Sequence, residues 1–146
     1  MTPPDATLAL DDVAGVVDET SAGLAGETLT IAEAAERTRT TADTLRYYEK
    51  LGLVRPGRDA GGRRRYAEAD VRRIVFLTCM RQSEMPIREL QRYVALVEQG
   101  DDTTGERLAI MEAHRQAVIA RQAELAAALQ IVDFKIAVYG GGTCGS

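Results

Sequence analysis

The sequence predicts a mainly α protein: a winged helix-turn-helix with a small β-hairpin wing, followed by one long helix patterned as a coiled coil. Three observations carry this. Two short amphipathic segments flank a tight polar turn around Thr38–Thr41, and a basic, glycine-centred hairpin follows them. Beyond Thr104, apolar residues recur every seven positions. Apolar residues make up 45% of the 146-residue chain, yet aromatics only 5%, with no Trp. That balance suits helices packed through Leu, Ile, Val and Ala better than an all-β core.

Taken in order, residues 1–28 are rich in Asp, Ala, Gly, Pro and Thr and show no sustained period, so they read as a mostly disordered acidic tail. A brief helix around Leu8–Val17 is compatible with that, and the tail is either a passive extension or a moderator of binding elsewhere. The first domain spans residues 29–100. Thr30 followed by Glu33 is a capping-box signature for a first helix ending near Thr38. Thr40 or Thr41 caps a second, whose Leu45, Tyr48 and Leu51 line one face. Gly52 suits its C-terminus. Leu53-Val54-Arg55-Pro56 is extended, Asp59-Ala60-Gly61-Gly62 turns, and Arg63-Arg64-Arg65-Tyr66 returns. A third helix runs from Glu68 with Val71, Ile74, Val75 and Met80 as apolar positions, stopping before Pro86. A fourth runs from Ile87 through Leu90, Val94 and Val97 to Gly100. After a polar break at Asp101-Asp102-Thr103-Thr104, residues 101–139 form the dimerisation helix, about 27 residues or roughly 40 Å of it regular. Met111, Val118, Leu125, Val132 and Tyr139 make one column of its seam, with Leu108, Leu129 and Ile136 in the companion column and Arg115 and Gln122 interrupting it. The expected cover for such a seam is a second copy of the same helix; the alternative is a helix folded back on its own domain. Residues 140–146 read as a flexible glycine-rich tail.

Charge is uneven along the chain. Residues 1–28 carry six acids and no Lys or Arg, residues 29–92 fourteen basic and nine acidic groups, and residues 93–146 four basic and seven acidic. A basic middle between acidic ends points to a polyanionic partner, and on this architecture to double-stranded DNA. With Leu45, Tyr48 and Leu51 inward, Arg46, Tyr47 and Lys50 face outward. Arg46 can fork onto a guanine edge or a phosphate, Lys50 suits phosphate, and Tyr47 offers a hydroxyl to the backbone. Arg39 in the turn and Thr41 at the helix start lie where amides and dipole favour a phosphate. Arg58, Arg63, Arg64 and Arg65 give the hairpin its cations. Any one of these arginines alone reads as a solvated charge; the set, within forty consecutive residues, does not.

These residues carry a resemblance. Leu29-Thr30-Ile31-Ala32-Glu33-Ala34-Ala35, Thr44-Leu45-Arg46-Tyr47-Tyr48-Glu49-Lys50-Leu51-Gly52-Leu53, Arg64-Arg65-Tyr66 and Asp70-Val71 resemble the MerR family of winged-helix regulators, over about residues 29–139. The resemblance implies a homodimer held by an antiparallel pair of long helices. It also implies a pseudo-palindromic site in a promoter with an overlong spacer, which the activated dimer bends and untwists for RNA polymerase. Arg46 and Tyr47 would be recognition-helix contacts, and Arg64 and Tyr66 wing residues. Arg63 stands where many members have an aromatic or aliphatic residue.

Cys79-Met80-Arg81, Pro86-Ile87, Leu90, Tyr93-Val94, Leu96, Gly100-Asp101, Thr103, Arg107 and Lys135-Ile136 with Tyr139 resemble the aldehyde- and thiol-stress-responsive subgroup typified by AdhR and NmlR. Glu84 departs from the glycine common there. That likeness implies a sensor role for Cys79. Arg72, Arg73 and Arg81 close by would favour its thiolate, whereas a cysteine so placed can equally be a small buried hydrophobe. Cys144 is a weaker candidate, and a disulfide between it and Cys79 of another subunit stays open. Cys79 and Cys144 form no metal pair, and no thiol stands at the start of the long helix, so neither metal nor cofactor is expected. The lone His114 reads as a surface or interface residue. Without a phosphate-cradling glycine loop or a nucleophile–base pair, no enzyme is expected. Neither a membrane span nor a secretory signal is recognisable, so the expected location is the cytoplasm, at the nucleoid. A winged-helix repressor, or an architectural or excisionase-like DNA-binding protein without thiol sensing, is the competing reading.

Overall fold

The computed structural model describes residues 26–140. The predicted disordered tail up to Ala25, the glycine-rich end and Cys144 fall outside them. The chain divides into two compact units between Ala95 and Leu96, inside a helix.

In the first unit, α1 (Ile31–Arg37) begins at Thr30 with the predicted capping box: Glu33 N–H donates to Thr30 Oγ1 at 3.2 Å, and Thr30 N–H to Glu33 Oε1 at 3.0 Å. α2 (Ala42–Lys50) is capped by Thr41, whose Oγ1 accepts from Thr44 N–H at 3.1 Å. Thr40 instead pairs its hydroxyl with that of Thr38 at 2.9 Å. The wing is a two-stranded antiparallel hairpin, β1 (Gly57–Arg58) with β2 (Arg64–Arg65), in which Gly57 faces Arg65 and Arg58 faces Arg64. The predicted first arm, Leu53–Pro56, stays outside the hairpin: pairing starts at Gly57, just after Pro56, which has no N–H to give a ladder, while Leu53 and Val54 are fully buried. α3 (Glu68–Gln82) and α4 (Ile87–Gln99) follow.

Three of these helices stop in the same way. In α1, Thr40 N–H reaches back to Ala35 O at 2.9 Å and Arg39 N–H to Glu36 O at 3.2 Å; α2 repeats the pattern with Leu53 onto Tyr48 and Gly52 onto Glu49, and α3 with Met85 onto Met80 and Glu84 onto Arg81. This paired 6→1 and 5→2 closure is the Schellman motif, and it requires a left-handed residue just past the cap. Gly52 meets the requirement with φ +78°. Arg39 at φ +56° and Glu84 at φ +67° meet it against their own side chains. The end of α3 is therefore the ordinary one, despite the glutamate where the related subgroup has glycine.

The core of this unit gathers Ala34, Leu45, Leu53, Val54, Tyr66, Ile74, Leu77, Met85 and Leu90. Leu77 and Met85 do the work predicted for Val75 and Met80, which are only half-buried. Tyr66 needs a correction. It is fully buried, not at the wing surface where a DNA contact was expected; its backbone bridges to Leu29 in both directions at 2.8 Å and pins the wing to the start of α1. Thr28, assigned from sequence to the tail, is also engaged: Arg65 donates to its hydroxyl at 2.9 Å and to its carbonyl at 2.8 Å.

The second unit holds the end of α4, a 3₁₀ turn at Asp101–Thr103 and α5 (Thr104–Gly140). The predicted polar break is built structure: Thr103 is buried, and its hydroxyl is shared between Leu96 O at 2.6 Å and Gly100 O at 2.7 Å. α5 is 37 residues long, about 55 Å, where about 27 were expected. The helix begins at Thr104, directly after the 3₁₀ turn and ahead of the first seam residue Leu108, because a heptad column marks only the stretch that seeks a partner and not where the backbone helix starts. Along the seam Leu125 is 54% exposed, Leu129 59%, Ile136 62% and Tyr139 77%, with Leu108 and Val132 also exposed and Met111 and Val118 half-buried. Ile119, Ile131, Phe134 and Val138 are exposed as well, outside the predicted columns.

Two stability tests follow. A Cβ added at Gly52 would meet nothing within 4 Å, so Gly52→Ala should cost only the left-handed penalty, about 1–2 kcal/mol. Glu84→Gly should gain a comparable amount, about 1 kcal/mol, by removing it. Urea unfolding of both variants checks the opposite signs. The Tyr66 hydroxyl is buried without a hydrogen-bond partner among the described residues. Tyr66→Phe should therefore leave stability unchanged or raise it by up to about 1 kcal/mol, and thermal melts showing a loss of more than that would contradict the assignment.

Candidate nucleic-acid interface

The outward face of α2 is set by what its inward face buries. Leu45 is fully buried and Tyr48 nearly so, and that leaves Arg46, Tyr47 and Lys50 on the surface, Tyr47 being 52% exposed. Gln91 of α4 donates to Leu51 O at 2.9 Å, adding a side-chain tie to the end of the helix. Arg46 leans on Asp43 at 3.0 Å, an exposed pair one turn apart that contributes little to stability and leaves the guanidinium at the surface. At the other end of α2 the Thr41 hydroxyl is committed to capping, so what faces outward there is the helix start itself.

The wing cations do not form one uniform patch. Arg63 is exposed beside the turn, where Asp59 Oδ1 accepts from Gly61 N–H and Arg63 N–H, both at 2.9 Å, and Gly62 turns left-handed at φ +78°. The Arg63 backbone bond is the largest reason that the Asp59 carboxyl sits below its usual range. Arg65 is turned to Thr28. Arg58 and Arg64 both reach Glu49 of α2: Arg58 Nη2 donates to Oε1 at 3.0 Å, and Arg64 Nε donates to Oε2. That bond raises the Arg64 pKa further. The structure thus brings Arg46, Tyr47, Lys50 and Arg63 to the surface as expected, ties Arg58 and Arg64 to one carboxylate, and withdraws Tyr66. Arg39 is exposed in the α1–α2 turn.

Glu49 is the residue that reading the sequence for cations overlooked. Its partners lie 9 and 15 positions away, and only the hairpin register brings them to it.

Cys79 lies on α3, half-buried, and burial alone pushes its thiol upward. The expected cationic activation is not found. Arg81, one of the three arginines invoked, donates to Met85 O instead. Among the described residues no group of His, Cys, Asp or Glu could hold a metal ion, and no helix is long and apolar enough to cross a membrane.

Comparison with known proteins agrees with this geometry. Residues 29–96 match the family model described as MerR HTH family regulatory protein. An uncharacterized HTH-type transcriptional regulator of Haemophilus influenzae is 36% identical over 113 residues, covering 77% of this chain and 84% of that one. The HTH-type transcriptional regulator AdhR of Bacillus subtilis is 40% identical over 92 residues, 62% of this chain and 66% of AdhR. Among solved structures, HiNmlR, described as a MerR family regulator lacking the sensor domain and bound to promoter DNA, is 34% identical with a TM-score of 0.74, over 82% of this chain and 95% of that one. With an outward Arg-Tyr pair on a capped recognition helix, a basic wing and relatives of this kind, the chain belongs to the MerR family and is a DNA-binding transcription regulator, not an enzyme.

Proposed function

We propose that the protein binds a pseudo-palindromic promoter site as a homodimer, in the cytoplasm, and acts there on RNA polymerase. One observation supports this above the others: α5 carries a seven-residue apolar stripe whose outer members are more than half exposed. Leu125, Leu129, Val132 and Ile136 are each 51–62% exposed, so a second copy of the helix would recover about 1–1.5 kcal/mol from each, roughly half the value of full burial. A matched pair of recognition helices at a fixed spacing is then the natural reader of a dyad. HiNmlR was solved on promoter DNA, which supports the same kind of target.

Replacing Leu129 and Val132 together by Glu should turn a dimer at micromolar concentration into a monomer in sedimentation. It should also weaken binding to a full dyad far more than to a half-site. A variant that stays dimeric, or a parent that sediments as a monomer even with duplex present, overturns the dimer.

The signal proposed is electrophile, aldehyde or thiol stress received at Cys79, supported by the subgroup resemblance and by the partial exposure of the thiol on α3. Modification there would displace α3 within the head. One observation favours the competing reading, a winged-helix repressor or architectural factor without thiol sensing: Cys79 is half-buried, and that burial pushes its thiol upward. In a Cys144→Ser background, alkylation of Cys79 by iodoacetamide should therefore be slow at neutral pH. It should climb about tenfold per pH unit past the ordinary thiol value of about 8.5, because thiolate is the reactive form. A promoter response to aldehyde or diamide that persists in Cys79→Ala removes the sensor role.

A further inference from the structure

Glu49 is an acid in the face that meets a polyanion. For binding strength alone a neutral residue would serve better, since every carboxylate near phosphate costs attraction. Its placement gives the reason for it. The side chain is only 23% exposed, in the last turn of α2, three positions after Arg46. Its two oxygens take guanidinium groups from opposite strands of the wing, and those two arginines are direct register partners. Like charges directly opposite one another on a hairpin repel. Arg58 also donates to Gly62 O at 3.3 Å, so a continuous chain of bonds runs from the wing turn to the recognition helix.

We propose that Glu49 is a positioning residue for DNA recognition: by clamping Arg58 and Arg64 it sets the wing against the recognition helix and withholds two guanidinium groups from indiscriminate phosphate contact. The proposal rests on the DNA-binding reading above and adds to it a device for specificity. In this role Glu49 acts through Arg58 and Arg64 and the wing that carries them.

The test uses the full chain with Glu49→Gln, which keeps the shape and removes the charge. The probes are a duplex selected by the wild-type protein from a random pool and a scrambled duplex of equal length, each titrated across a sodium chloride series. Affinity for the selected duplex should fall roughly tenfold, the equivalent of one charge-assisted clamp. Affinity for the scrambled duplex should hold or rise, and its salt slope should steepen by about 0.9 for each guanidinium released. Arg64→Ala added to Glu49→Gln should take back one such increment. A residue that merely supports the fold would lower both affinities together with an unchanged slope, and that result overturns the proposal, as does no change on either duplex. Should Glu49→Gln fail to fold, Arg58→Gln opens the clamp from the exposed side and should again weaken the selected duplex selectively; equal losses overturn the proposal there too. Failure of the wild-type chain to select any duplex would overturn the DNA-binding reading itself, a result distinct from every outcome of the Glu49 variants.

Discussion

A recognition helix of nine residues has no independent stability in water, because nucleation costs more than so few backbone bonds return. Everything in the first unit can be understood as meeting that constraint. Thr41 satisfies an amide at one end, and the Schellman closure through Gly52 satisfies carbonyls at the other. Leu45 and Tyr48 fasten the inner face, Gln91 binds the carbonyl of Leu51, and Glu49 fastens the side toward the wing. The outward Arg46 and Tyr47 inherit their direction from these supports. Precision in reading DNA is thus a property of the whole head.

The same logic sorts the cations. Seven basic residues were expected to meet DNA, and they divide by what already holds them. Arg58 and Arg64 spend their forks on a carboxylate, and Arg65 on the backbone and hydroxyl of Thr28. Those bonds order the wing before any nucleic acid arrives, so less rotamer freedom is lost on binding. Arg46 leans on Asp43 at the surface, and Arg39, Arg63 and Lys50 are exposed and suited to the phosphate backbone, where position matters less.

What was legible in the sequence was whatever is encoded locally. The capping box at Thr30–Glu33, the inward Leu45 and Tyr48 and the turn through Gly61-Gly62 are all patterns a few residues long, and all appear as expected. What was not legible depends on pairing across distance. Tyr66 looks like part of a basic wing when read beside Arg64 and Arg65, but strand alternation and the bridge to Leu29 turn it inward. Glu49 looks like a solvated acid until the hairpin register sets Arg58 beside Arg64. The electrostatic case for Cys79 failed for a related reason: nearness along a helix does not decide where a guanidinium finds its bond, and Arg81 found a carbonyl.

The long helix shows the limit of pattern from the other side. A heptad template isolates one stripe, and that stripe is exposed, as a seam awaiting its partner should be. Yet Ile131, Phe134 and Val138 are as open to solvent as Leu129, and successive steps of about 100° carry them away from it. A two-column seam leaves such residues in water, so the heptad count understates the apolar surface that this helix has to cover. Its first half differs: Arg115 and Gln122 interrupt the stripe, and Met111 and Val118 are already half-buried. The demand for burial therefore grows toward Gly140, and the distal half of α5, not its start, is where association has most to gain.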